Sequence, residues 1–209
     1  MKKLIWIIFG GLCILFSTYP LKYLFAEKPI LLLTSKPLEL INAYWYKLAF
    51  YLHIIFGGIA LLVGWIQFIK SVRLKYMNLH RFIGKVYLLA VIISGVPGFF
   101  IAFHATGGVS PKLGFSIGAV LWVLLAVLSY TAIRKGNVTA HRNFMIYNYA
   151  GTFGAVTLRL WLPLLILVYG EFKSAYQIVA WLSWLPNMIV AYFIIKGIGK
   201  REQLRLNGN

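Results

Sequence analysis

The sequence predicts an all-α integral membrane protein, a six-helix bundle with both termini in the cytoplasm. Three observations predict it. The 209 residues are 61% hydrophobic and 12% charged, against about 45–50% and about 25% in soluble domains, so a water-soluble fold would lack the polar side chains to coat it. Six apolar stretches each approach the roughly 20 residues that cross a hydrocarbon core of about 30 Å. Short Lys and Arg clusters alternate with those stretches, the distribution of the positive-inside rule.

The first stretch, from Leu4 to Phe25, follows Lys2 and Lys3. It reads as an anchor rather than a cleaved signal peptide: Ser17, Thr18 and Tyr19 lead into Pro20 with no small-x-small site. Cys13 follows Gly10, Gly11 and Leu12, without the small residue that precedes a lipoprotein cysteine. The second stretch, from Leu48 to Ile69, and the third, from Phe82 to Phe103, flank a basic loop with Lys70, Arg73, Lys75 and Arg81, and Lys85 follows one turn later. The fourth, from Leu113 to Ile133, and the fifth, from Phe144 to Tyr169, flank Arg134, Lys135 and Arg142. The sixth, from Ala175 to Ile195, runs into Lys196, Lys200, Arg201 and Arg205 of a short tail. With the amino terminus inside, fourteen basic residues are cytoplasmic, and six (Lys22, Lys28, Lys36, Lys47, Lys112 and Lys173) are outside. Of the 21, Lys22 and Lys85 fall within a turn of the ends of their stretches, and only Arg159 lies deep within a span. The whole chain is expected to form one transmembrane domain.

Spans two and three echo spans four and five. The third opens Asn78-Leu79-His80-Arg81 and the fifth Thr139-Ala140-His141-Arg142, each with an N-cap residue two positions before its His. The echo reads either as two similar hairpins in parallel or as two ordinary cytoplasmic helix starts at the headgroups. Gly57, Gly58, Gly64, Gly114, Gly118, Gly151 and Gly154 suit close helix packing.

Composition excludes much chemistry. There is no Asp and there are four Glu, which removes the carboxylates of most Mg²⁺, glycosidase and phosphoryl-transfer sites. A lone Cys13 removes disulfides, Cys-ligated zinc and iron–sulfur clusters. No hydrolase, kinase or protease signature is present. The net charge of +17 is dispersed between apolar runs, unlike a nucleic-acid-binding face.

Ionisable residues at membrane depth are functional candidates. Spacing from the basic clusters puts His53, His104 and Arg159 at nearly one depth in the outer half, although aligning His141 with His80 moves Arg159 about two turns deeper than His104. Arg159 has no acid in any span to pair with. His80 and His141 form a second group at the inner face, beside Arg81 and Arg142. Four histidines in two layers suit bis-histidine haem b, His53 with His104 and His80 with His141, with Arg159, Arg81 or Arg142 near the propionates and no metal other than haem iron. The corresponding function is a membrane redox protein, an oxidoreductase exchanging electrons with a quinone or a redox partner. A second reading is an anion, lipid or small-metabolite transporter with its site at Arg159, His53 and His104 and with Gln67, Asn148 and Asn187 lining a path inward. Pro97, Pro163 and Pro186 interrupt spans three, five and six, as broken-helix transporters do. A third reading is a non-catalytic assembly or structural protein.

The series His53 with Gly57 and Gln67, His80-Arg81 with Gly84 and Tyr87, Gly107-Gly108 with Gly114-Phe115 and Trp122, His141-Arg142 with Phe144-Met145-Ile146, Leu158-Arg159 with Pro163, and Trp181 with Trp184 and Pro186-Asn187 resembles the bacterial membrane family called domain of unknown function 2306. The resemblance covers about Trp45 to Lys196, and Phe144 stands where that family usually has Trp. It implies a polytopic protein of the bacterial cytoplasmic membrane and no established activity. The layout is also distantly similar to cytochrome b561-type bundles, although span four has no histidine.

Overall fold

The structure, a computed structural model, describes the backbone of residues 2–207 and the side chains there other than at 2, 31 and 205–207; the side chains of Lys2 and Arg205 therefore lie outside the described residues. Every described regular element is helical: α1 (Lys2–Ser17), α2 (Pro20–Leu24), α3 (Leu38–Asn42), α4 (Tyr44–Gly64), α5 (Lys70–Lys75), α6 (Met77–Ala102), α7 (Val109–Arg134), α8 (Val138–Tyr169), α9 (Phe172–Leu182) and α10 (Leu185–Asn207), with 3₁₀ turns at Leu31–Ser35 and Trp65–Phe68. Six segments are long and apolar enough to cross a bilayer: Lys3–Leu24, Tyr44–Phe68, Met77–Ala102, Val109–Arg134, Val138–Tyr169 and Phe172–Leu204. They coincide with the six expected stretches. The described helices thus have a basic end, where α5 and the α7–α8 turn lie, and an opposite, far end.

Helix α4 lies along α6, α6 along α7 and α7 along α8, and α8 returns to α4, so the two expected hairpins close into a four-helix unit. Helix α1 packs on α4 and α8, while α9 covers α7 and α8. Small residues permit these approaches. A Cβ on Gly64 would stand 2.4 Å from Tyr149 and 2.6 Å from Tyr87, so both rings press on the α4 backbone. Lipid tails are as apolar as the helices, and packing plus polar bonds must therefore hold the bundle.

The helix starts differ from expectation. Asn137, not Thr139, caps α8, its Oδ1 accepting from the Ala140 N–H at 2.9 Å. Gly136, at φ +74°, ends α7 with the Asn137 N–H on the Ala132 carbonyl, which leaves Asn137 at the corner. Helix α6 begins at Met77, so Asn78, like Thr139, sits inside a first turn.

Two spans are broken. The first turns at Thr18-Tyr19 ahead of Pro20. The last breaks at Ser183-Trp184, because Pro186 offers no N–H to the preceding turn. The freed Ser183 carbonyl accepts from the Thr157 hydroxyl and from Asn187 Nδ2, at 3.0 Å for the latter. Backbone groups in lipid must find such partners.

Candidate functional site

Arg159 sits on α8, and its Nη1 donates to the Ala155 carbonyl one turn back at 2.6 Å. Its Cζ lies 4.2 Å from the centre of the Tyr19 ring, at the break in the first span. Its Nε is buried without a hydrogen-bond partner. Lys22 Nζ stands 5.1 Å from the same ring. The only ion pair among the described residues joins Arg142 to Glu202, so neither Arg159 nor Lys22 faces a carboxylate.

Aromatic hydroxyls and one imidazole surround this guanidinium. Tyr19, Tyr23 and His53 lie within its electrostatic reach, and Tyr23 and Tyr46 lie within reach of Tyr176. Tyr23, Tyr46 and Tyr176 are 4%, 4% and 8% exposed, which makes them part of the bundle and not its rim. The hydroxyls of Tyr46 and Tyr176 have no hydrogen-bond partner among the described residues. His53 is fixed against α6: its Nδ1 lies 3.1 Å from the Ser94 carbonyl, and the Ser94 hydroxyl donates to the His53 carbonyl at 2.7 Å. That bond places the proton on Nδ1 and leaves Nε2 as the basic atom. A Cβ on Gly98 would stand 2.6 Å from His53 Nδ1, so the glycine admits the imidazole edge. The space beside Gly57 is likewise taken, by the Ser94 hydroxyl.

The structure does not bring His104 to His53. His104 is exposed beyond the end of α6 and rests on Trp45 and Tyr46, with ring centroids 5.2 and 6.1 Å away. Tyr46 precedes His53 by about two turns of α4, so of the three groups expected at one depth His104 lies off toward the far end, while His53 and Arg159 remain within reach of each other.

At the basic end His80 and His141 do converge, within electrostatic reach of each other and with Arg73 and Arg81 beside His80. His141 Nδ1 lies 2.9 Å from the Ser129 carbonyl. With its amide oriented to satisfy both ends, Gln67 donates to His80 Nδ1 at 2.5 Å and accepts from the Gly84 N–H at 3.2 Å. Arg73 Nε is buried without a partner. Arg142 is engaged by Glu202, Nη1 to Oε1 at 2.5 Å, and Arg81 is exposed.

The expected polar lining is mostly internal bonding. Tyr87 donates to Asn148 Oδ1 at 2.5 Å and lies 2.7 Å from Thr152 Oγ1. Asn148 Nδ2 donates to the Trp122 carbonyl at 2.6 Å, and Trp122 Nε1 donates to Thr152 at 2.9 Å. Asn148 is fully buried in that closed network, Asn187 is committed to the α9–α10 break, and Gln67 ties the 3₁₀ turn to α6.

Sequence reasoning passed over Tyr19, Lys22, Tyr23, Tyr46 and Tyr176. Tyrosines are usual at membrane interfaces, and only the approach of Tyr19 and Tyr23 to Arg159, and of Tyr46 and Tyr176 to Tyr23, distinguishes these four.

A family model described as a predicted membrane protein, DUF2306, matches residues 50–195. No curated protein matches the chain. No solved structure matches it either.

Proposed function

This chain belongs to the DUF2306 family of predicted membrane proteins, and from the site around Arg159 we propose that it binds, and by binding carries, an anion bearing a carboxylate or phosphate. One observation carries the reading: a guanidinium inside the bundle whose Nε has no partner and which faces no acid. A charge at membrane depth is costly. Its one hydrogen bond to Ala155 and its contact with Tyr19 leave most of its five donors free. The phenol hydroxyls of Tyr19 and Tyr23, within reach of the guanidinium, add neutral donors, and His53 Nε2 can take a proton from the ligand. By the positive-inside rule the basic end faces the cytoplasm, and the site then lies nearer the outer face of a bacterial cytoplasmic membrane.

The test is a thermal-shift comparison of purified wild type, Arg159→Lys and Arg159→Met against carboxylates and phosphates. A ligand stabilises the folded state by RT ln(1 + [L]/Kd). The expected outcome is a Tm rise in wild type, a smaller one in the Lys variant, which keeps charge but loses the bidentate fork, and none in the Met variant. Equal shifts in all three would overturn the reading.

Haem b is a second reading, favoured at the basic end alone by the approach of His80 and His141. The far end does not suit it, since His53 lies against Gly98 and His104 is about two turns away. At the basic end His141 Nδ1 donates to the Ser129 carbonyl and leaves its Nε2 free to hold iron, whereas His80 Nδ1 accepts from Gln67, so its Nε2 carries the ring proton and would hold iron only once that amide turned its oxygen to Nδ1. Arg73 and Arg81 would hold the propionates. Haem would supply one-electron transfer with a quinone or a redox protein. With haem supplied during expression, a reduced-minus-oxidised spectrum abolished by His80→Ala and by His141→Ala, and retained in His53→Ala, is expected; a colourless protein overturns this reading.

A further inference from the structure

The Arg159 site has two sides, and they are covered differently. Toward the far end the chain between α2 and α4 folds down over it. Ile30, Leu33 and Leu40 from that segment pack on the cluster of Tyr23, Tyr46, Phe50 and Ile54. Lys36 fastens the segment by donating to the His104 carbonyl and, at 2.9 Å, to Thr106 Oγ1. The cavity left between it and α4, bordered by Leu33, Ile41, Tyr46 and Phe50, is about 40 Å³. A small pocket of that size admits little more than water.

Toward the bilayer the cover is thinner. Where the first span breaks, a groove of about 200 Å³ runs along Leu15, Phe16, Thr18, Tyr19 and Lys22. Leu15 is 63% exposed, and the groove faces outward from the bundle. Its lower half is apolar and its upper end carries a cation. The Tyr19 ring is shared by that cation and Arg159: both lie within about 6 Å of its centroid, the range of a cation–π contact. Two positive charges against one ring repel each other in a medium that screens little. A single anion beside Tyr19 would relieve both.

Resting on the Arg159 reading, we propose that the ligand is a single-chain amphiphile with an anionic headgroup, entering sideways from the bilayer at the break in the first span. Its chain lies on Leu15, Phe16 and Thr18, and its headgroup meets Lys22 first and Arg159 second. Charge complementarity selects the headgroup, and the apolar lower half of the groove selects the chain. A short water-soluble anion would gain nothing from that half.

The experiment uses the full chain in phosphatidylcholine nanodiscs with radiolabelled dodecanoate, after subtraction of empty discs. Saturable binding is expected, with no competition from a hundredfold excess of butyrate or of dodecyltrimethylammonium. Lys22→Ala, at an exposed position, should weaken dodecanoate binding about tenfold, and Leu15→Trp should block it while leaving the melting curve unchanged. Arg159→Met should abolish it. If butyrate competes as well as dodecanoate does and the Lys22 and Leu15 variants bind normally, the amphiphile is wrong and the anion site stands. If phosphatidylglycerol discs displace dodecanoate, the occupant is a bilayer phospholipid and the single-chain proposal fails. If wild type binds neither carboxylate and matches Arg159→Met, both proposals fail.

Discussion

The guanidinium of Arg159 rests 4.2 Å from the centre of the Tyr19 ring, joining the fifth span to the break in the first. The contact replaces the carboxylate that a cation inside a membrane protein usually finds. A cation–π contact contributes about 0.5–2 kcal/mol, less than burying the charge costs. On the proposed reading, the arginine is kept for binding and not for the fold.

Arg159→Met is accordingly expected to melt at the wild-type temperature or above it while losing its ligand. Thermal unfolding in detergent, followed by tryptophan fluorescence, checks it. A Tm several degrees below wild type would make Arg159 a structural group.

Gly98 and His53 form a lock between α6 and α4. Gly98→Ala would set a methyl 2.6 Å from His53 Nδ1, an overpacking that costs about 1–3 kcal/mol. The cost should shrink when His53→Ala is combined with it, since the clash then has no second partner. Unfolding free energies of the four proteins of this double-mutant cycle, measured in mixed micelles, give the coupling.

Asn148→Ala leaves the Trp122 carbonyl and the Tyr87 hydroxyl each short of a partner. Interhelical polar bonds in membranes are worth about 0.6–2 kcal/mol, and a loss in that range is expected. Ligand binding at Arg159 should be unaffected, because the network is separate from the tyrosine cluster. Dodecanoate binding to the variant tests that separation.

Lys36 titrates in an accessible range. Burial first, and Lys112 second, lower its pKa to about 8. In the unfolded chain a lysine stays protonated to about 10.4, so between about 8 and 10 the unfolded state binds more protons and stability rises with pH. The Tm of wild type relative to Lys36→Gln is expected to increase between pH 7 and 10. A constant difference would mean that Lys36 titrates as a free lysine.

The sequence by itself determined the six spans, because each is a local property. A run from Phe82 to Phe103 is apolar whatever it packs against, and a bilayer makes helix the only way for such a run to satisfy its own backbone. Composition also disclosed Arg159 as an unpaired charge, since an absent acid needs no coordinates to be seen. The family resemblance, carried by residues such as His80, Arg81 and Trp184, was legible for the same reason. Rotation of each helix about its axis was not legible, because it follows from packing with neighbours. Tertiary structure alone separated His104 from His53, closed Asn148 into a network with Tyr87 and Trp122, assigned Arg142 to Glu202, and brought Tyr19 and Tyr23 to the Arg159 guanidinium. Those are relations between faces of different helices, and a helix face acquires a partner only once the bundle is assembled.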